Sequence, residues 1–284
     1  MPAANQQEIE LPDSATTAPL LRIESVSKRF GTVIALDDVG FEVHAGEVVA
    51  LLGDNGAGKS TLIKIISGSF RPDSGKIFFD GREVRFTSPA AAKALGIETV
   101  YQDLSLCMNV DVVANFFMGR ERHTKFLGLK ILREAEMQTE TEQAMRDIGI
   151  HIPSVRSKVE HLSGGQRQAI ELCRFVHWGG RLVLLDEPFA ALGVEQTRRG
   201  LDLVQRVKEQ GIAVIVITHN MLHAFQVADR VVVLRHGQVT GVRDASATNP
   251  EEVISLITGE LTRQASAQEP GRGQHNQGEA SPPP

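Results

Sequence analysis

The chain has 284 residues, 42% hydrophobic and 23% charged, with a formal net charge of −5. That size and composition suit one large globular domain, or a domain carrying an insertion, whose core needs no disulfides. The acidic balance argues against a nucleic-acid partner, because binders of the phosphate backbone carry a basic surplus, and two distant cysteines, Cys107 and Cys173, suggest no zinc site and a reducing compartment.

No continuous apolar stretch approaches the ~20 residues of a membrane span. The N-terminus, rich in Ala, Gln, Glu and Pro, lacks the basic-then-apolar order of a signal peptide, so a cytosolic location is expected, with a membrane reached only through a partner. Residues 1–18 and 263–284 are polar and rich in Pro, Gly, Gln and Ser and are expected to be disordered tails on a domain spanning 19–262.

From Leu20 short apolar segments alternate with turns: Leu21 to Val26, then Val39-Gly40-Phe41-Glu42-Val43, which has a strand's period of two. Val48 to Leu52 is a continuous apolar run that leads through Gly53-Asp54-Asn55-Gly56-Ala57-Gly58-Lys59-Ser60-Thr61 into a helical pattern, Leu62 to Ile66. Ile77-Phe78-Phe79, Asp80-Gly81, Val84 and Phe86 read as a hairpin, since Asp-Gly readily supplies the positive φ angles of a type I′ turn. From about 103 to 160 the pattern is helical, with Val112, Phe116, Phe117, Ala144 and Ile148 at helical spacings, and the locally basic stretch Arg120 to Arg133 reads as a solvated helix face more readily than as a binding patch. Two continuous runs follow, Leu182-Val183-Leu184-Leu185 and Ile212 to Ile217, as expected of parallel strands covered on both faces. Val231 to Leu234 turns at His236-Gly237, and a last helix opens at Asn249-Pro250 and closes at Gly259.

Gly53 to Thr61 fits G-x-x-x-x-G-K-[ST] in a strand–loop–helix context. Residues without Cβ let successive backbone N–H groups turn inward around phosphate oxygens; Lys59 would reach the β and γ phosphates and Ser60 would hold Mg²⁺. The following helix adds its unpaired N–H groups and positive dipole end. A nucleoside triphosphate is therefore the expected ligand. Leu162-Ser163-Gly164-Gly165-Gln166 opens a second helix, with Ser163 placed as N-cap and paired glycines leaving amides open. One triphosphate cannot readily use both helix termini of one chain. An ionised Asp186 at the end of an apolar strand needs compensation, for which Mg²⁺ is suited. Glu187 beside it can orient or deprotonate an attacking water.

Leu162 to Gln166 resembles the signature motif of the ATP-binding cassette (ABC) transporter ATPases, and the phosphate loop resembles their Walker A. Leu182 to Pro188 is similar to Walker B with its following glutamate, His219 to the switch histidine, Gln102 to the glutamine-loop residue and Phe30 to the aromatic that stacks on adenine. The resemblance, over residues 20 to 260, implies an α/β P-loop fold of ABC type: a mixed central sheet, an antiparallel β subdomain and an inserted α-helical subdomain. It implies ATP and Mg²⁺ as cofactors, with Glu187, His219 and Gln102 catalytic and Ser60, Gln102 and Asp186 at the metal. Phe30, Gly53 to Thr61, and Ser163, Gly164, Gly165 and Gln166 would bind nucleotide. Taken singly, Phe30 and His219 also read as core residues, and Gln102 as a surface glutamine.

The resemblance also implies two such domains head to tail, the signature of each closing the Walker A site of the other, which answers the puzzle of two anion sites in one chain. After Pro188 the chain reads Phe189-Ala190-Ala191-Leu192-Gly193, where the family usually ends this D-loop with Asp. That departure, Gly96 to Gln102 and Phe117 to Glu121 resemble the bacterial monosaccharide-importer branch of ribose, xylose or fructose type. The expected partners are a second copy of the chain, membrane-embedded permease subunits at the cytoplasmic face of the membrane and, indirectly, a sugar-binding protein; no nucleic acid is expected. Leu104, Leu106, Val110, Val112 and Phe116 are expected either to form the groove that receives a permease helix or to pack within the helical subdomain. The competing readings are a soluble ABC ATPase acting on nucleic acid or ribosomes, and a nucleotide-sensing module without turnover.

Overall fold

The computed structural model describes residues 18–100, 106–126, 129–189 and 193–260. Gln102, Leu104, the D-loop residues Ala190 to Leu192 and nearly all of both expected tails lie outside the described residues.

The first sheet is antiparallel and contains β1 (Leu21–Phe30), β2 (Val33–Val43), β4 (Ser74–Phe79) and β5 (Arg82–Val84), in the order β2-β1-β4-β5. Along β2 the period of two is real: Val39 and Val43 are fully buried and Phe41 nearly so, while Gly40 is exposed. The β4–β5 turn places Asp80 at φ 54° and Gly81 at φ 73°, the left-handed pair that a type I′ turn requires.

The second sheet is parallel apart from one edge strand, the last in the chain. It orders β12 (Gln238–Asp244), β11 (Arg230–Arg235), β3 (Val48–Leu52), β10 (Ala213–Ile217), β9 (Leu182–Asp186) and β6 (Ile97–Val100). The continuous apolar runs are explained by cover on both faces. Val183, Leu185, Val214 and Val216 face the core shared with the inserted helices, whereas Leu182, Leu184, Ala213, Ile215 and Ile217 face the core shared with the antiparallel sheet. Each fully buried large aliphatic side chain contributes about 1.5–3 kcal/mol, so this double-sided packing fixes the strand ends that carry the site.

Helix α1 (Lys59–Ile66) follows β3, and α2 (Pro89–Ala94) starts on Ser88, whose Oγ accepts from Ala91 N at 3.3 Å. The insertion holds α3 (Val112–Phe117) and α4 (Glu134–Asp147). It leads to α5 (Gly164–His177), and the core is completed by α6 (Val194–Glu209), α7 (Met221–Val227) and α8 (Pro250–Thr258). The last helix has the expected ends: Asn249 Oδ1 accepts from Glu252 N at 2.9 Å, and Gly259 closes it at φ 81°.

One sequence expectation is corrected, and two others are sharpened. The basic stretch Arg120 to Arg133 is not a helix face: it contains a hairpin of β7 (His123–Phe126) and β8 (Leu129–Leu132). Its Thr, Phe and Ile residues suit strands, and the charges masked that preference. Ile97–Val100, read only as part of a motif, is the edge strand β6, paired in parallel with β9. Of the two expectations for the groove residues, packing within the insertion holds for Leu106, Val112 and Phe116, which are buried in its core; Cys107, Met108 and Met118 are among the exposed residues there. Fully buried Asn115 holds this segment, accepting from Cys107 N at 2.7 Å and donating to Cys107 O at 2.9 Å and Asp111 O at 3.0 Å.

Candidate functional site

The phosphate loop leaves the fully buried β3 and is shaped by three glycines at positive φ, Gly53 (150°), Gly56 (82°) and Gly58 (106°). A Cβ at Gly53 would lie 2.2 Å from Leu234 O, and one at Gly58 would lie 2.5 Å from Ala35 O, whereas Gly56 faces open space. The loop is thus clasped by the β11–β12 turn, where Gly237 N donates to Ala57 O at 3.0 Å. Gly53→Ala is accordingly expected to destabilise the protein by more than about 2 kcal/mol, through strain and a backbone clash, and Gly56→Ala by only ~1–2 kcal/mol, through its left-handed backbone alone. Denaturant unfolding of the two variants checks the order.

Lys59 is buried and its Nζ donates to Gly53 O at 2.7 Å and Asp54 O at 2.9 Å. An ammonium has three donors, so it can hold both carbonyls and still reach an anion. Burial pushes its pKa below the usual lysine value, against the pull of Glu187, Asp54 and Asp186. No side chain caps α1, whose N-cap is Gly58. The amides of Lys59, Ser60 and Thr61 therefore form the first turn of a helix whose positive end is open to an anion.

The neighbouring strand ends supply the acids. Asp186 closes β9, and its carboxyl is pushed above the usual range by burial and by Glu187, against the pull of Lys59 and Lys64. Glu187 sits at φ 48°, a left-handed conformation that costs a non-glycine residue about 1–3 kcal/mol. Its N–H donates to Ile217 O at 3.0 Å, which ties this strained residue to the end of β10. Two residues beyond that strand end, His219 Nδ1 lies 2.9 Å from Glu187 Oε1. The turn carrying His219 is fixed by Thr218 Oγ1, which accepts from Asn220 N at 3.1 Å, and by Asn220 Oδ1, which caps α7 by accepting from His223 N at 3.3 Å. His219 keeps 70% of its side chain exposed, which removes the reading as a core histidine. Strain, a half-buried acid and an exposed histidine together mark a reactive site rather than a stabilising ion pair.

Phe30, at the end of β1, is 45% exposed and meets Phe70 edge-on with ring centroids 5.4 Å apart, so it is not a core residue. Ser163 caps α5 reciprocally: its Oγ accepts from Gln166 N at 3.3 Å and its N–H donates to Gln166 Oε1 at 3.0 Å. Ser163 and Gly164 are exposed, and a Cβ at Gly164 or Gly165 would meet nothing among the described residues.

The structure brings Lys59, Asp186, Glu187 and His219 together at the ends of β3, β9 and β10. Ser163 and Gln166 instead line a cavity of about 430 Å³ between α5 and α6, while Glu187 and His219 line another of about 520 Å³; no residue of the phosphate loop lines either. Gln102 lies outside the described residues. Sequence reasoning missed the Gly237 clasp, the strained Glu187 backbone and the Thr218–Asn220 turn. Only the last had a local signal, an Asn placed before a helix as an N-cap.

Residues 36–190 match the family model described as ABC transporter. The Xylose/arabinose import ATP-binding protein XylG of Sulfolobus acidocaldarius is 46% identical over 239 residues, covering 84% of this chain and 94% of that protein. The Fructose import ATP-binding protein FrcA of Rhizobium meliloti is 40% identical, covering 85% of this chain and 94% of that protein. The Ribose import ATP-binding protein RbsA 1 of Rubrobacter xylanophilus is 38% identical, and there the match covers 84% of this chain but 47% of that protein. Among solved structures, the ADP conformation of MJ1267, an ATP-binding cassette of an ABC transporter, superposes with a TM-score of 0.71 at 25% identity, covering 89% of this chain and all of that one. With the matched region running from β2 through the phosphate loop to the strained glutamate, the chain belongs to the ABC transporter family.

Proposed function

We propose that this chain is the ATP-binding and ATP-hydrolysing subunit of an ABC importer that couples hydrolysis to uptake of a sugar, with a monosaccharide as cargo. The observation that carries the catalytic part is the convergence of Lys59, Asp186, Glu187 and His219 on adjacent strand ends. The names of the relatives, importers of xylose or arabinose, fructose and ribose, support the cargo class.

In this reading Gly53 to Thr61 cradles the phosphates through the open amides of α1, Lys59 holds the β and γ phosphates, and Phe30 stacks on the adenine. Glu187 aligns a water on the γ-phosphorus and accepts its proton as the new P–O bond forms and the bond to the β–γ bridging oxygen breaks, so that ADP leaves with that oxygen, and His219 holds the carboxylate in place. The donor set fits Mg²⁺: a half-buried Asp186 carboxyl in need of compensation and the Ser60 hydroxyl, both hard oxygens. When bound, the ion neutralises charge on the β and γ oxygens; Gln102 is assigned beside it by resemblance.

Ser163, Gly164, Gly165 and Gln166 would close the phosphate-loop site of a second copy, head to tail. Nothing among the described residues demands glycine at 164 or 165, which supports close approach from outside. Gly193, the N-cap of α6, offers no carboxylate to such a partner. We read 19–262 as the ATPase domain and about 103–160 as its inserted subdomain. No described helix is long and apolar enough to cross a membrane, which fits a subunit held at the cytoplasmic face by permease subunits that receive sugar from a binding protein.

The test is uptake of labelled xylose, fructose and ribose by cells lacking the chain. Uptake of at least one sugar should fall and be restored by the wild-type chain but not by Lys59→Ala. Unchanged uptake of all three, with ribosomes or DNA recovered on the purified chain, would overturn the proposal.

A further inference from the structure

The β7–β8 hairpin is unlike the rest of the fold, because His123, Thr124, Lys125 and all of β8 are exposed, including Leu129 (70%), Leu132 (49%) and Ile131 (47%). A two-stranded hairpin with both faces open is marginal in water. This one is tethered at its base: Arg133 N donates to Arg122 O at 2.9 Å, and the Arg122 guanidinium pairs with Glu136 at 3.1 Å and Glu140 at 2.7 Å. The tether engages Glu136 and Glu140 at the base, away from the outer lysines.

Register sets Lys125 directly opposite Lys130. Like charges in that position destabilise a strand pair, and neither lysine joins an ion pair or hydrogen bond among the described residues. From Arg120 to Arg133 the sequence holds five Lys or Arg against one Glu, in a chain of net charge −5. The strand period places Leu129 and Ile131 on one face and Lys130 and Leu132 on the other, so charge and exposed apolar surface alternate along one short strand. Leu129 is the outermost described residue of β8, and the connecting residues Leu127 and Gly128 lie outside the described residues.

We propose that this hairpin docks on an anionic phospholipid surface, with Lys125 and Lys130 at the phosphate groups and Leu129 and Ile131 entering the acyl boundary. The proposal rests on the reading of the chain as a subunit held at the cytoplasmic face of a membrane. A phosphate layer relieves the repulsion of the facing lysines, and long lysine stems can reach it while their neighbours are buried. An acidic protein segment or a nucleic acid could also neutralise the lysines. Neither supplies an apolar layer beneath the charges, whereas a bilayer supplies both at the spacing of one residue along a strand.

The experiment is sedimentation of the full-length chain with phosphatidylcholine vesicles made with and without phosphatidylglycerol. Binding should require the anionic lipid and weaken as salt is raised. Each lysine near such a surface is worth roughly fivefold in affinity, so K125E/K130E should bind at least about 25-fold more weakly while hydrolysing ATP at the wild-type rate. Leu129→Ser should weaken binding and leave its salt dependence unchanged. Equal binding to neutral vesicles, no binding to anionic ones, or full binding by K125E/K130E would overturn the proposal. So would a loss of permease association in K125E/K130E with vesicle binding intact, which would assign the hairpin to a protein partner. Vesicle binding by a chain that neither hydrolyses ATP nor supports sugar uptake would instead sink the proposed function and leave the lipid site standing.

Discussion

Replacing Glu187 by Gln is expected to lower steady-state ATP turnover by about 10²–10⁴-fold, the range lost when a positioned acid–base group is removed. ATP affinity should stay within a few-fold of wild type, and a dimer should accumulate with ATP. The substitution isolates one property. Gln keeps the side chain's length, the strained backbone at φ 48° and a hydrogen bond to His219, but it cannot take a proton from water. It also removes the charge that helps hold the Asp186 carboxyl above its usual range, so metal binding should not suffer. Single-turnover hydrolysis and gel filtration with ATP read the two effects separately. Hydrolysis at the unmodified rate would show that another group handles the water.

Lys59→Ala should weaken ATP binding by about 10- to 150-fold, since hydrogen bonds to a charged group are worth roughly 1.5–3 kcal/mol. Titration with a fluorescent ATP analogue measures it. Folding should survive the change. Burial lowers the pKa of Lys59 in the folded chain, so its ionised form is a cost to stability at neutral pH, and that cost vanishes as pH rises through the lowered value toward the unfolded one. Removing the ammonium relieves this cost while leaving Gly53 O and Asp54 O without their donor. The two effects oppose each other, and a thermal midpoint close to wild type is the expected result. An unchanged affinity would mean that the amides of α1 hold the phosphates by themselves.

Much of the site was legible before any coordinates because its parts are local. The glycines of Gly53 to Thr61 are needed for backbone angles set by adjacent residues, Ser163 caps the helix that begins beside it, and Asp80-Gly81 makes its own turn. Continuous apolar runs announced strands buried on two faces, since such a run has no solvent side. These signals reach only a few residues along the chain.

What tertiary structure alone decided is non-local. The order β3-β10-β9 brings Lys59 to Asp186 and Glu187 across more than a hundred residues, and the bond from Glu187 N to Ile217 O sets the angle at which the glutamate meets His219. Phe30 proved exposed, Leu106, Val112 and Phe116 proved buried, and a stretch of charge proved to be a hairpin. In each case the composition was compatible with either outcome. Amino-acid type determines what a residue can do and which local turn or helix end it favours; whether it meets a substrate, a core or solvent depends on which distant strand or helix covers it.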